Sequence, residues 1–177
     1  LITVPANAPT STSGVASPYP STIAVTGIPL NTPVASVTLN NVTHSFPGDL
    51  DIVLVSPAGV PVILMSDRGG TNDVSGINLT IQDGAPVMPA TLITGTFAPS
   101  NSTPNPDAFA LPGPGSLTQT TPSLANFSGD PNGTWSLYVV DDAAGDIGSI
   151  GSWTLSFVGG QSFTYNWTPI TGLVGLT

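Results

Sequence analysis

The chain contains no glutamate and no lysine; its ten acidic residues are all aspartate, and Arg68 is the sole Lys or Arg. Exposed helix faces are normally built from Glu and Lys, so this chain has little from which to make long surface helices. Threonine, serine and valine, with 20 Gly and 19 Pro, take their place, and these residues favour strands and turns. Short alternating runs recur between turn signals at Ile23–Gly27, Val34–Val42, Leu50–Ser56, Val60–Ser66, Gly76–Gln82, Trp135–Val140 and Trp153–Val158. The pattern predicts an all-β domain, a sandwich or barrel of antiparallel strands.

Within this pattern Trp135, Leu137 and Val139 share one strand face, and Trp153, Leu155 and Phe157 share another. Two aromatic-led inner faces separated by one acidic loop predict neighbouring core strands. Leu50–Ser56 is apolar on both faces and is expected at the centre of a sheet. Asp130-Pro131-Asn132-Gly133 reads as a tight turn. Leu92–Leu124, with its core APSNSTPNPDAFALPGPGS, reads as a long meandering loop with at most a short strand on either side. Three segments follow: an extended N-terminal stretch over 1–22, a sandwich over 23–160, and a C-terminal extended stretch or strand over 161–177 that carries Phe163, Tyr165 and Trp167.

A length of 177 residues fits one domain. The net charge of -9 argues against a nucleic-acid partner, because binding phosphates needs a basic face. No apolar run is long enough for a transmembrane helix, and the longest, LDIVLVSPAGVPVILM, is broken by SPAG. Cysteine is absent, which excludes disulfides, thiol catalysis and thiolate metal sites.

The acidic residues cluster. Asp49 and Asp51 are two apart at a strand entrance, so their side chains are expected on one face. Asp141, Asp142 and Asp146 crowd the segment after the Trp135 strand, and Asp67, Asp73 and Asp83 flank Gly69-Gly70. Calcium takes six to eight oxygen ligands, and carboxylates, carbonyls and Asn oxygens are its natural set. With one cation in the chain, such clusters repel unless a metal neutralises them. Ca²⁺ is therefore the expected cofactor, with Asp49, Asp51, Asp67, Asp83, Asp141, Asp142 and Asp146 as candidate ligands. The competing reading is that Asp serves turns by bonding neighbouring backbone amides. His44 is the only histidine, and with no GxSxG elbow it reads as a packed or turn-stabilising residue rather than a catalytic base.

HSFPGDLDIVLVSPAGVPVILMS and DPNGTWSLYVVDDAAGDIGSIGSWTLSF together resemble the P domain (homo B domain) of subtilisin-like proprotein convertases, in the form found in bacterial secreted and surface proteins. His44, the Gly48–Gly59 segment, Asn132–Asp141 and Gly145–Trp153 carry the resemblance, which spans roughly Ile23–Gly160. It implies a jelly-roll β-sandwich and an extracellular accessory or binding module, often holding Ca²⁺. Peptidase activity belongs to a subtilisin domain for which this sequence has no counterpart, so none is expected here.

Two functional readings follow. One is a non-catalytic, secreted or cell-surface β-sandwich with a structural, adhesive or assembly role, up to the repeating subunit of an extracellular fibre. In that reading Leu1-Ile2-Thr3-Val4 would add a strand to a neighbour's sheet, since no lysine guards the strand edges. Trp167 would be the exposed anchor for a surface glycan or protein partner. The other reading is the accessory P domain of a secreted subtilisin-like protease.

Overall fold

The computed structural model of the chain describes residues 1–165. Fourteen strands account for almost all of its regular structure: β1 (Ile2–Val4), β2 (Gly14–Val15), β3 (Ser21–Val25), β4 (Val34–His44), β5 (Leu50–Val55), β6 (Pro61–Ser66), β7 (Val74–Ile81), β8 (Gly95–Phe97), β9 (Ser100–Asn101), β10 (Asp107–Phe109), β11 (Gly115–Leu117), β12 (Gly133–Asp141), β13 (Gly148–Phe157) and β14 (Ser162–Tyr165). One sheet runs β1-β13-β4-β7-β8, with β14 also on β13; the other runs β2-β12-β5-β6-β9, with β3 also on β12. The two pack as a β-sandwich, and the chain crosses between them at β1–β2, β3–β4, β4–β5, β6–β7, β8–β9 and β12–β13. Pairing is antiparallel except at one edge of each sheet, where β6–β9 and β7–β8 are parallel.

All seven strands expected from the alternation are present. β5 lies at the middle of its sheet, between β12 and β6, as its two apolar faces predict. Leu50, Ile52 and Leu54 point into the main core, while Val53 and Val55 point to the outer face of the sheet. That outer face is covered too, by Phe109 of the hairpin β10–β11, and so both faces of β5 are apolar. Leu92–Leu124 thus carries four short strands, β8 to β11, where the sequence predicts a loop. Strands of two or three residues are too short to show alternation.

Trp135 and Trp153 are both in the core, but their strands are not neighbours in one sheet. β12 and β13 belong to opposite sheets, and the two tryptophans enter the core from facing sides. Alternation gives the inward face of each strand and is silent on which sheet holds it. Trp153 donates its indole N–H to Ser21 Oγ of β3 at 2.9 Å, tying the sheets together. Trp135 packs edge-on against Phe127 and Phe157, with ring centroids 4.9 and 5.9 Å away.

The N-terminal stretch joins its own sandwich. Leu1–Val4, expected as a donor strand for a neighbour, pairs through β1 with β13, and Ile2 and Val4 are fully buried in the chain's own core. β1 and β14 lie end to end along the same edge of β13, with Ile2 opposite Ile150 and Tyr165 opposite Trp153. The strands at the edges, β1, β2, β3, β8, β9 and β14, are two to five residues long. Pro5, Pro20 and Pro99 flank several of them. Shortness and proline here do the work of lysine in discouraging edge pairing. Trp167 and the rest of 166–177 lie outside the described residues.

Candidate metal centre

The end of the second sheet where β5 begins and β12 finishes gathers most of the acidic side chains. Its geometry follows from the two-residue period of a strand. Val55, Val53 and Asp51 share the outer face of β5, while Tyr138, Val140 and then Asp142 continue that face beside it. Asp51 and Val140 are cross-strand partners. The apolar stripe under the hairpin therefore runs directly into a pair of carboxylates. Asp67, just after β6, and Asp107, at the start of β10, complete a pocket of about 220 Å³, with Thr103, Asn105 and Pro106 at its rim.

Hydrogen bonds hold these walls. Asp107 Oδ1 accepts from Ser66 Oγ at 2.7 Å and its Oδ2 from Asn101 Nδ2 at 2.8 Å. Asp67 Oδ2 accepts from Thr103 Oγ1 at 2.8 Å. Burial, and then the neighbouring Asp107, Asp142 and Asp67 charges, push Asp51 up to about 7, with Ser66 pulling the other way. Asp107 and Asp142 are raised as well, first by burial. Arg68 does not relieve the crowding: its Nη2 donates to the Asn101 carbonyl at 3.3 Å, and among the described residues it makes no ion pair with a carboxylate.

The carboxylates line the pocket without converging on a point, and among the described residues no group of three or more His or Asp side chains stands at metal-ligand spacing. The donors are all hard oxygens, which suits Ca²⁺ and not a metal that prefers nitrogen or sulfur. Asp51, Asp67, Asp107 and Asp142 are the residues that would hold the ion, and the chemistry it would supply is charge neutralisation.

The other candidate ligands are placed elsewhere. Asp49 ends a short 3₁₀ turn, Pro47–Asp49, ahead of the strand, so the same-face argument that pairs it with Asp51 does not apply. Its carbonyl accepts from the Asp142 N–H at 3.0 Å, and burial together with Asp142, Asp146 and Asp67 raises its carboxyl. Asp141 and Asp142 are consecutive and so point to opposite faces: Asp142 to the pocket, Asp141 inward to His44. Asp146 accepts from Ser45 Oγ at 2.8 Å. Asp83 is remote and fully used, accepting from Ser123 Oγ and from the Leu124 and Ala125 amides, which start a second 3₁₀ turn. Asp107 is the pocket carboxylate missing from the sequence-derived candidates; it lies in a Pro-rich stretch, on a strand of three residues that is too short to show a period.

His44 and Asp141 bridge the two sheets in full burial, with Nε2 and Oδ2 3.3 Å apart but not in hydrogen-bond geometry. His44 Nδ1 accepts from the Phe46 N–H at 3.2 Å, so the neutral ring carries its proton on Nε2, toward Asp141. Burial holds His44 below its usual value and pushes Asp141 up to about 7. With Nδ1 held by a backbone amide and Nε2 facing a carboxylate, neither ring nitrogen is paired with a serine hydroxyl, as the base of a triad must be. Gly148 lies against this pair, where an added Cβ would overlap the Thr43 carbonyl oxygen and the His44 ring. Gly148→Ala is expected to destabilise the fold by about 1–3 kcal/mol in a urea melt, the usual cost of overpacking. A variant as stable as the wild type would show that the His44 end of the core can yield.

The family model of the proprotein convertase P-domain matches residues 34–88. The resemblance read from the sequence holds over that segment, which includes His44, Gly48–Gly59 and two of the pocket's carboxylates, Asp51 and Asp67. Asn132–Asp141 and Gly145–Trp153 fall outside the matched residues. No curated protein matches the chain. In convertases the P domain is a non-catalytic accessory domain, and in the described part of this chain no helix is long and apolar enough to cross a membrane.

Proposed function

We propose that this chain is a non-catalytic, extracellular P-domain-like module whose acidic pocket binds Ca²⁺ and which serves a structural or accessory role in a secreted or cell-surface protein. The observation that carries the reading is the meeting of Asp51, Asp67, Asp107 and Asp142 in one pocket that the only cation of the chain leaves unneutralised. A cation bound only by the native state stabilises it by about 2.7 kcal/mol at a hundredfold excess over Kd. For a chain of this size that is a rise in Tm of roughly 5–10 °C. Thermal melts with and without Ca²⁺ test this. The wild type and Asp83→Asn should both gain, whereas Asp107→Asn should gain little; equal gains in all three would remove the pocket from the reading.

The match to the P-domain family favours an accessory role over that of a self-assembling fibre subunit, since β1, the strand expected to reach a neighbour, is used at home. Light scattering in Ca²⁺ and in chelator distinguishes the two. The accessory reading expects a mass near 17.8 kDa in both, and a large assembly in Ca²⁺ would return the fibre to first place.

A further inference from the structure

β6 runs for six residues, Pro61–Ser66, and pairs with β5 along one side. On its other side β9 covers only Met65 and Ser66. The stretch 61–64 is therefore an edge of the second sheet, and its four residues, Pro61, Val62, Ile63 and Leu64, are all apolar. An apolar edge without a charge is a template for another strand. One side chain closes it. Gln119 accepts from the Ile63 N–H at 2.8 Å and donates to the Pro61 carbonyl at 2.7 Å. Backbone groups of successive strand residues point to opposite sides, so Pro61 and Ile63, two apart, both turn theirs outward from β5. The Gln119 carboxamide, with donor and acceptor on one planar group, takes the place of a neighbouring strand. Its own anchorage is slight: it follows β11 in a largely exposed stretch, and residues 118–122 make no backbone-to-backbone hydrogen bond among the described residues.

Symmetry fixes what fits the edge once the carboxamide leaves. When two copies of β6 lie antiparallel with Val62 opposite Val62, each Ile63 N–H meets the other copy's Pro61 carbonyl. A two-fold axis makes the two bonds identical, so the edge is complementary to itself. The ends fit as well. At Ser56–Val60 the chain turns back to β5, with the Gly59 N–H on the Ser56 carbonyl at 2.9 Å, so the second copy leaves the edge before it reaches β9. We propose that the 61–64 edge of β6 is a self-pairing surface, that its partner is the same edge of a second copy, and that Gln119 is the gate that keeps it shut. Two bonds over so short a ladder make a small, reversible contact rather than a permanent dimer. In the wild type two bonds are lost for two gained, and the chain stays single. Without the gate nothing competes with the second copy.

The test uses the whole chain in chelator, which keeps its result independent of the acidic pocket. Sedimentation equilibrium from micromolar to millimolar concentration measures association, and hydrogen exchange at the Ile63 amide locates it. Gln119→Ala should dimerise at least about tenfold more tightly than the wild type, because two neutral hydrogen bonds no longer compete. At micromolar concentration its Ile63 amide should exchange about tenfold faster than in the wild type, and slow again at millimolar as copies pair. Gln119→Glu, which brings two carboxylates together across the axis, should stay single throughout. A Gln119→Ala that remains monomeric at millimolar concentration, or whose dimers leave the Ile63 amide open, would overturn the proposal. A Gln119→Glu that pairs as tightly as the alanine variant would do the same, by placing the contact elsewhere. Should Gln119→Ala not fold, Gln119→Asn, one methylene too short to span both groups, replaces it in both measurements.

Discussion

In the absence of metal, Asp51→Asn is expected to be more stable than the wild type at pH 8, by about 2–4 kcal/mol, and equal to it near pH 4. Asp51 is 3% exposed, and its carboxyl is pushed up to about 7 in the fold from an ordinary 3.8. Between those values the native state binds more protons at this site than the unfolded chain does. Stability therefore falls as pH rises through that window, and above it the full cost of a buried carboxylate is felt. Below 3.8 both states are protonated and Asp51 contributes nothing. Asp141, also raised to about 7, acts in the same direction. His44 acts oppositely: its pKa is lowered, so below its ordinary 6.5 the unfolded chain takes up a proton that the buried ring refuses. Comparing the two proteins at each pH cancels both of these and isolates Asp51. Saturating Ca²⁺ should invert the order, making the wild type the more stable at pH 8. Denaturant melts at pH 4 and pH 8, with Ca²⁺ and with chelator, make the comparison. A variant that never exceeds the wild type in chelator would show that Asp51 is solvated or paired after all.

Trp153→Ala should be the most damaging single change in the core. The side chain is fully buried, and its indole N–H reaches across the sandwich to Ser21. Removing it leaves a cavity between the sheets, for which buried aromatic-to-alanine changes cost about 3–5 kcal/mol. It also strands the Ser21 hydroxyl, 1% exposed, without its donor, a further cost of about 1 kcal/mol. Trp153→Phe keeps most of the volume and loses only the bond and part of the ring, so it should retain more than half of that stability. Urea melts of the three proteins check the ranking. If Phe and Ala proved equally damaging, the hydrogen bond to Ser21 would outweigh the packing.

The contrast between these two residues bears on what could be read from the sequence. Trp153 was legible because it leads an alternating run long enough to show its period, and the same holds for β4, β5 and β12. Asp51, Asp67 and Asp142 are all among the acids the sequence singles out, but their grouping in one pocket, with Asp107 added, is not. Asp49, two positions before Asp51, looked like a same-face neighbour, yet the Pro47–Asp49 turn ends there and the strand period starts only at Leu50. Asp141 and Asp142 looked like one cluster, but β12 continues through Asp141 and sends the pair to opposite faces. Asp107 reaches the pocket because a Pro-rich excursion folds back over the sheet, a long-range event that no local pattern encodes. The apolar outer face of β5 was the trace it left: Val53 and Val55 required a cover, and the cover carries the fourth carboxylate.

The arrangement of β1 and β14 along one edge of β13 has a mechanical consequence. In the observed registers Ile2 stands opposite Ile150 and Tyr165 opposite Trp153, so the facing ends of the two strands meet within a few residues, on the order of 10 Å at the strand rise. A force applied across Leu1 and Tyr165 would start from neighbouring points and turn both strands outward from their junction. Their ladders with β13 would be loaded one hydrogen bond at a time rather than all together in shear. The sandwich would yield first by unzipping these two short strands, while the long β13–β4 ladder, spanning Gly148 to Phe157, stayed closed behind them.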